Sequence, residues 1–240
     1  MSLRHALGLW LVLMAALFSG GALVMPQAAS AAEAPAASQP ATPDAATLLF
    51  EAPQLANTKA GQTLTYKYSR KVADPELGAS FEDRVVLMIA ASASSSGDAR
   101  DVRVDFFTPE RHHAAGPFEG VTTNPMLLLF LENHLGDLAG RLKGNPRYFK
   151  TAIRTALRDA ATVTAADLTV GGQTVKGWRV TVTPFKGDPN AVRMRGLDTL
   201  AYTFEVSPDV PGQIVRMDIK ADAPGGTLWE ESIAYDPTSH

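Results

Sequence analysis

Two helix-forming segments interrupt a chain that otherwise reads as β-strands, and this pattern limits the fold more than any other feature. An Asn-Pro pair at residues 124–125 and another at 145–146 each place a capping Asn before a Pro at the first helical position, where no backbone N–H is needed. Gly144 separates the two segments. We therefore predict helices over residues 125–143 and 146–161 that pack as a helical hairpin.

Strand-like runs lie on both sides of this helical pair. They fall at residues 63–69, 81–91 and 102–106 before the helices, and at 163–170, 178–183, 200–206, 215–220 and 227–235 after them. Turn residues, not helices, separate consecutive runs, which predicts antiparallel pairing. Pro109 is expected to end the first group. The fold class is therefore α+β: a curved, mostly antiparallel sheet of about seven to nine strands, an incomplete barrel, with a mid-chain helical hairpin packed on its concave face.

The N-terminus has the three parts of a secretory signal peptide. Arg4 supplies the charge, residues 6–24 form an uncharged apolar stretch, and an Ala-Ser-Ala cleavage site ends at Ala31. An uncleaved membrane anchor is the alternative, because the stretch is close to spanning length. Residues 32–47 contain three prolines and no large apolar residue, so we expect a disordered Ala/Pro-rich tether. Residues 48–236 are then a single α+β domain.

Cysteine and charge narrow the protein class further. The chain has no cysteine, which excludes a disulfide framework and a cysteine-linked lipid anchor. Loss of Arg4 with the signal leaves 21 basic and 25 acidic residues, a net charge of −4. This balance gives no support for a nucleic-acid partner. We expect a soluble protein of the bacterial periplasm.

The first predicted helix begins with a segment that is apolar on every side. Leu128, Leu131, Leu135, Leu138 and Leu142 form one stripe at helical spacing, but the neighbouring apolar residues point elsewhere. Such a helix tip must be buried all round or must meet a molecule from outside. Burial inside the curved sheet is the plainer interpretation. The alternative is an apolar cavity for a ligand, lined by inward-facing side chains: Tyr66, Tyr68, Leu127, Phe130, Leu131, Trp178 and Phe204.

The second predicted helix carries a row of basic residues beside its apolar face. They are Arg147, Lys150, Arg154 and Arg158. A solvated helix face is the ordinary explanation. The alternative is contact with anionic lipid headgroups during a transient visit to a membrane surface, or contact with an acidic partner protein.

Candidate catalytic and metal-binding residues are few. His112 and His113 are adjacent, so at a strand end their side chains would point to opposite faces. Glu132 and His134 are two positions apart on a helix and do not face each other. No nucleotide-binding or nucleophile motif occurs. We therefore predict no catalytic residues, no metal and no cofactor, with a hydrolase whose site is scattered along the chain as the less favoured alternative.

The late stretch YTFEVSPDVPGQIVRMDIKADAPGGTLWEESIAYD resembles the successive hairpins of the periplasmic lipoprotein carriers, the LolA/LolB-like half-barrels. The segments FEAPQLA, NPMLLLFLE and PFKGDPN also resemble uncharacterised exported proteins of alpha-proteobacteria. The carrier resemblance covers the architecture of most of residues 48–235 and implies binding of acyl chains in an apolar hollow, without chemistry. It supplies no specific ligand residue.

Two main functional hypotheses follow from the sequence. The first is an exported, non-catalytic binding protein that carries a lipid or another apolar ligand, which requires an apolar cavity of several hundred Å³. The second is an envelope protein-interaction module with a filled core. The space around Phe130 distinguishes the two hypotheses.

Overall fold

The computed structural model describes residues 42–93 and 97–239. The predicted signal peptide and residues 32–41 of the predicted tether lie outside the described residues. A single helical turn, Thr47–Glu51, comes first, and the Asp44 carboxylate accepts a hydrogen bond from the Thr47 N–H at 2.9 Å. Ala45 is already buried. Ordered contacts therefore begin within the last residues assigned to the tether.

Nine strands and two α-helices follow. The strands are β1 (Thr63–Val72), β2 (Phe81–Ala91), β3 (Arg100–Phe106), β4 (His113–Val121), β5 (Thr162–Val170), β6 (Gln173–Val182), β7 (Ala201–Val206), β8 (Ile214–Ala223) and β9 (Gly226–Tyr235). The helices are α1 (Met126–Leu142) and α2 (Pro146–Asp159). Both helices lie where the Asn-Pro pairs predict them. No helix in the described part of the chain is both long enough and apolar enough to cross a bilayer.

All nine strands belong to one open antiparallel sheet in the order β4-β3-β2-β1-β9-β8-β7-β6-β5. Two meanders, one before and one after the helices, meet where β1 pairs with β9. The helical hairpin links β4 to β5, which are the two edges of the sheet. The chain therefore crosses from one edge to the other through the helices, and the predicted fold class is confirmed.

Strand β4 is absent from the sequence prediction, which ended the first meander at Pro109. Its sequence, HAAGPFEGV, contains one proline and two glycines and has no apolar alternation. Its pairing with β3 is irregular, with two shifts of register. The conformation of β4 therefore depends on its pairing with β3, because its own sequence has no strand pattern.

The core lies between one face of the sheet and the helices. Leu64, Tyr66 and Tyr68 alternate along β1 and are all buried, as their spacing predicts. Phe149 of α2 packs edge-on against Phe185, in the loop after β6. A smaller cluster of Leu168, Val210 and Val215 is separate from this core. The sheet face that carries Tyr66 and Tyr68 is thus the face covered by the helices.

Candidate functional site

The apolar tip of α1 is packed into the core. Leu127, Phe130 and Leu131 are buried, whereas Leu128 is 52% exposed. The predicted stripe is confirmed at Leu131, Leu135 and Leu138 but is wrong at Leu128. In the first turns, Leu127 and Phe130 are the buried residues instead. A run of six apolar residues leaves the rotation of a helix undetermined, and the sheet selected the face that presents Phe130.

Six of the seven predicted ligand-lining residues lie in one continuous core. Tyr66, Tyr68, Leu127, Phe130, Leu131 and Phe204 are at most 6% exposed, and Trp178 is half-buried against the same core. The six buried side chains therefore offer almost no surface to a ligand in this conformation. Four surface grooves on residues 42–93 and 97–239 are lined by none of the seven residues.

A group of polar side chains lies within this core, around Glu231 of β9. The Glu231 carboxylate is fully buried and accepts a hydrogen bond from the Tyr68 hydroxyl at 2.6 Å. The Arg70 guanidinium donates to the same oxygen at 3.2 Å. The second carboxylate oxygen lies 3.0 Å from Nδ1 of His134, which must carry the proton because an ionised carboxylate only accepts.

The polar group extends from Glu231 across the seam between α1 and the sheet. His134 Nε2 lies 2.9 Å from the Tyr202 hydroxyl on β7. Arg70 also forms an ion pair with Asp137 of α1 and lies over the Trp229 ring, 5.1 Å from its centroid. We refer to Tyr68, Arg70, His134, Asp137, Tyr202 and Glu231 as the buried polar cluster. It fastens α1 to three strands, β1, β7 and β9.

The electrostatics of the cluster favour one set of protonation states. Burial alone would raise the pKa of Glu231, but the hydrogen bond and charge of His134, together with Arg70, lower that pKa to about 2. Burial raises the pKa of Tyr68 and of Tyr202, so both hydroxyl groups keep their protons. Glu231 is thus an ionised acceptor surrounded by donors.

The acidic and basic groups of the buried polar cluster are inaccessible to a substrate in this conformation. His134, Glu231 and Tyr202 are each 0% exposed. A substrate atom must come within hydrogen-bond reach of a general acid or base. The arrangement can hold a helix in one position, but in this conformation it cannot receive a substrate.

Sequence reasoning missed this cluster although a signal was present. Arg70 and Glu231 lie two residues beyond Tyr68 and Trp229, so they share the inward face of their strands. His134 lies within the apolar stripe of α1. Polar residues at inward positions of apolar patterns predict a buried network, provided that they meet in three dimensions.

The predicted headgroup-binding residues do not form one free basic face. Lys150 pairs with Glu132 of α1, and Arg158 pairs with Asp159 at 2.7 Å. Arg147 and Arg154 are exposed and have no ion pair within residues 42–93 and 97–239. Contact of α2 with headgroups or an acidic partner stays a prediction that rests on these last two residues.

The adjacent histidines lie at the start of β4. His112 Nε2 is 3.6 Å from Asp105, whereas the His113 ring stacks on Phe106 with 4.7 Å between ring centroids. The two side chains therefore contact different neighbours. Across the described ranges, no three or more His, Cys, Asp or Glu side chains are grouped as a metal site.

Comparisons with known proteins assign no family. No family model matches the chain, and no curated protein sequence matches it. Among solved structures, the crystal structure of Mycobacterium tuberculosis lipoprotein LppX aligns with 76% of this chain and 90% of its own, at 10% identity and a TM-score of 0.29. At that TM-score the two chains superimpose too poorly for any property of LppX to be transferred.

Proposed function

We propose that the protein is an exported, non-catalytic binding protein that encloses an apolar, lipid-like ligand between its sheet and the α1–α2 hairpin. The conformation described above is then the closed, ligand-free form. The observation that carries the proposal is the buried polar cluster in the seam between α1 and the sheet.

Buried charges in this seam favour a helix that is positioned precisely and can be released. Replacing a buried ion pair with apolar residues is often neutral or stabilising, so such a pair adds little to a permanent core. When a charged seam opens, water solvates both partners again, and opening costs less than exposing the same area of apolar surface. Asp137 is one-third exposed, so water already reaches one end of the cluster.

Movement of the hairpin would uncover an apolar surface of the kind found in ligand sites. Tyr66 and Phe204 would be uncovered on the sheet, and Leu127, Phe130 and Leu131 on the tip of α1. These are residues that the sequence identified as ligand-lining. The closed core contains no room for an acyl chain beside them, so binding requires the hairpin to move.

Ligand occupancy tests the proposal directly. We expect native mass spectrometry of protein purified from its own host to reveal a co-purified lipid, and we expect the purified protein to bind a fluorescent long-chain fatty acid. A ligand-free mass together with no binding of the fatty acid would reject the proposal.

A pair of crosslinks tests whether the hairpin must move. The chain has no cysteine, so introduced thiols react alone. Tyr148→Cys with Asp188→Cys, joined by a short reducible linker, would tie α2 to the loop after β6, where the Tyr148 hydroxyl donates to Asp188. We expect this link to abolish fatty-acid binding and its reduction to restore it. Linked Glu132→Cys and Lys150→Cys, which join α1 to α2 only, should leave binding intact.

An envelope protein-interaction module with a filled core is the second candidate. The packed surroundings of Phe130 favour it, as does the half-exposed Leu128 on the outer side of α1. A partner captured from periplasm by the natural chain but not by Leu128→Ser, in a protein that binds no fatty acid, would support this function over the first.

A further inference from the structure

A groove of about 360 Å³ lies between the α1–α2 turn and the 3₁₀ turn Ala191–Met194. Leu142, Phe149 and Met194 form its apolar part, and Lys143 and Arg193 supply charge. Its volume is at the lower end of the range for small-molecule sites. No residue of the buried polar cluster lines it, so this groove is separate from the seam between α1 and the sheet.

The groove has positive charge without a counter-charge of its own. Lys143 and Arg193 are both exposed, and neither forms an ion pair with another residue of the described ranges. Its lining includes no Asp or Glu. Two cations beside an apolar surface match a ligand that has an anionic group and an apolar body.

Asp188 is hydrogen-bonded to two residues of the groove wall, Tyr148 and Asn190. Its carboxylate accepts hydrogen bonds from the Tyr148 hydroxyl and, at 2.7 Å, from the Asn190 N–H. The hydrogen bond from Tyr148 lowers the pKa of Asp188. The side-chain amide of Asn190 also donates to the Tyr148 hydroxyl at 3.1 Å, so the wall formed by Tyr148 and Asn190 is held in place.

The nearby N-terminus of α2 offers no free backbone donor to an anion. Pro146 has no N–H, the Arg147 N–H donates to the Asn145 side chain at 2.9 Å, and the Tyr148 N–H donates to the Asn145 carbonyl at 3.0 Å. Residues 146–148 therefore add no backbone donor to the charged side chains of Lys143 and Arg193.

We propose that this groove binds a small organic acid, a single carboxylate joined to a short apolar body. The carboxylate lies between Lys143 and Arg193, where a guanidinium can donate two parallel hydrogen bonds. The body packs on Leu142, Phe149 and Met194. The site does not depend on opening of the hairpin.

Titration calorimetry with octanoate tests this site. Octanol matches its apolar body without the charge, and acetate matches its charge without the body. Because both parts of the groove contribute, octanoate should bind about tenfold more tightly than either. Phosphatidylglycerol vesicles test the other source of an anion on an apolar body; binding to these vesicles without binding of octanoate would overturn the proposal.

Charge-removing variants locate the bound octanoate. Lys143→Asn with Arg193→Gln should weaken octanoate binding about five- to tenfold, with Asn chosen because Lys143 has a left-handed backbone. Lys59→Gln with Arg84→Gln removes the same charge from exposed positions outside the groove and should change binding less than twofold. If the double variant folds poorly because Lys143 lies in the α1–α2 turn, Arg193→Gln alone tests the groove. Equal binding by groove and control variants would refute the site.

Discussion

The two helices of the hairpin have similar lengths but different relations to the rest of the molecule. α1 buries eight of its 17 residues, whereas α2 buries three of 14. A helix that lies on the surface of a core buries only one stripe of side chains, as α2 does. α1 buries more of its surface and is part of the core. The same Asn-Pro signal begins both helices, so the difference in burial comes from the residues that follow it, which are more apolar in α1 than in α2.

The helices also differ in how they are fastened. α1 is held by apolar packing and by the buried polar cluster, which reaches three strands. α2 is held by a strip of Phe149, Ile153 and Leu157 and by the exposed Lys150–Glu132 pair, which contributes little. Regions with fewer buried contacts open first, so we expect α2 to open more readily than α1.

Glu231→Gln makes the largest expected change and tests the fastening of α1. It removes the charge that Arg70 and His134 face, which leaves buried donors uncompensated. We expect the free energy of unfolding at neutral pH to fall by about 3–5 kcal/mol, measured by urea denaturation. Glu230→Gln is the matched control on the opposite face of β9 and should cost less than about 1 kcal/mol. Equal losses would mean that the cluster does not hold α1.

Low pH should weaken the contacts that hold α1 on the sheet, because it protonates the Glu231 carboxylate. The pKa of Glu231 is about 2 in the fold, against an ordinary value of 4.5. Between these values the unfolded chain binds a proton that the folded chain does not, so stability is complete above about pH 4.5 and falls as the pH drops towards 2. The contribution is at most about 3 kcal/mol. Urea unfolding between pH 6 and 2 should show a smaller fall in the free energy of unfolding for Glu231→Gln than for the natural chain. Parallel curves would contradict a lowered pKa at Glu231.

Asn145→Ala makes the smallest change and tests the independence of α2. The Asn145 side chain accepts from the Arg147 N–H at the start of this helix. Loss of this hydrogen bond should lower the free energy of opening α2 by about 1 kcal/mol. The exchange rates of α2 amide hydrogens should then rise about fivefold, and those of α1 should not change. Asn145→Asp keeps the acceptor and should exchange like the natural chain. Equal acceleration in both helices would show that they open as one unit.

Local sequence signals predicted much of the fold. The two Asn-Pro pairs marked both helices within a few residues of their observed bounds, and alternation marked the inward faces of most strands. Gly171 and Gly172, the two glycines between β5 and β6, both have positive φ, which suits a two-residue hairpin turn. Strand β4 had no such signal, because it depends on pairing with β3 for its conformation.

The rotation of α1 could not be predicted in the same way. Leu128 and Phe130 are equally suited to a core, and only the shape of the sheet determines which of them is buried. The candidate ligand-lining residues lie in or against one core, but whether that region is hollow or filled depends on how closely α1 approaches the sheet.

The sequence by itself determined the antiparallel α+β class, the place of the helical hairpin and the inward faces of its strands, because these follow from caps, turns and periodicity over a few residues. Only the tertiary structure decided that α1 fills the sheet and that charged groups meet there. The hydrogen bond from Tyr68 to Glu231 joins residues 163 positions apart. No local pattern encodes such a contact, because it exists only after β1 and β9 have paired and α1 has been laid across them.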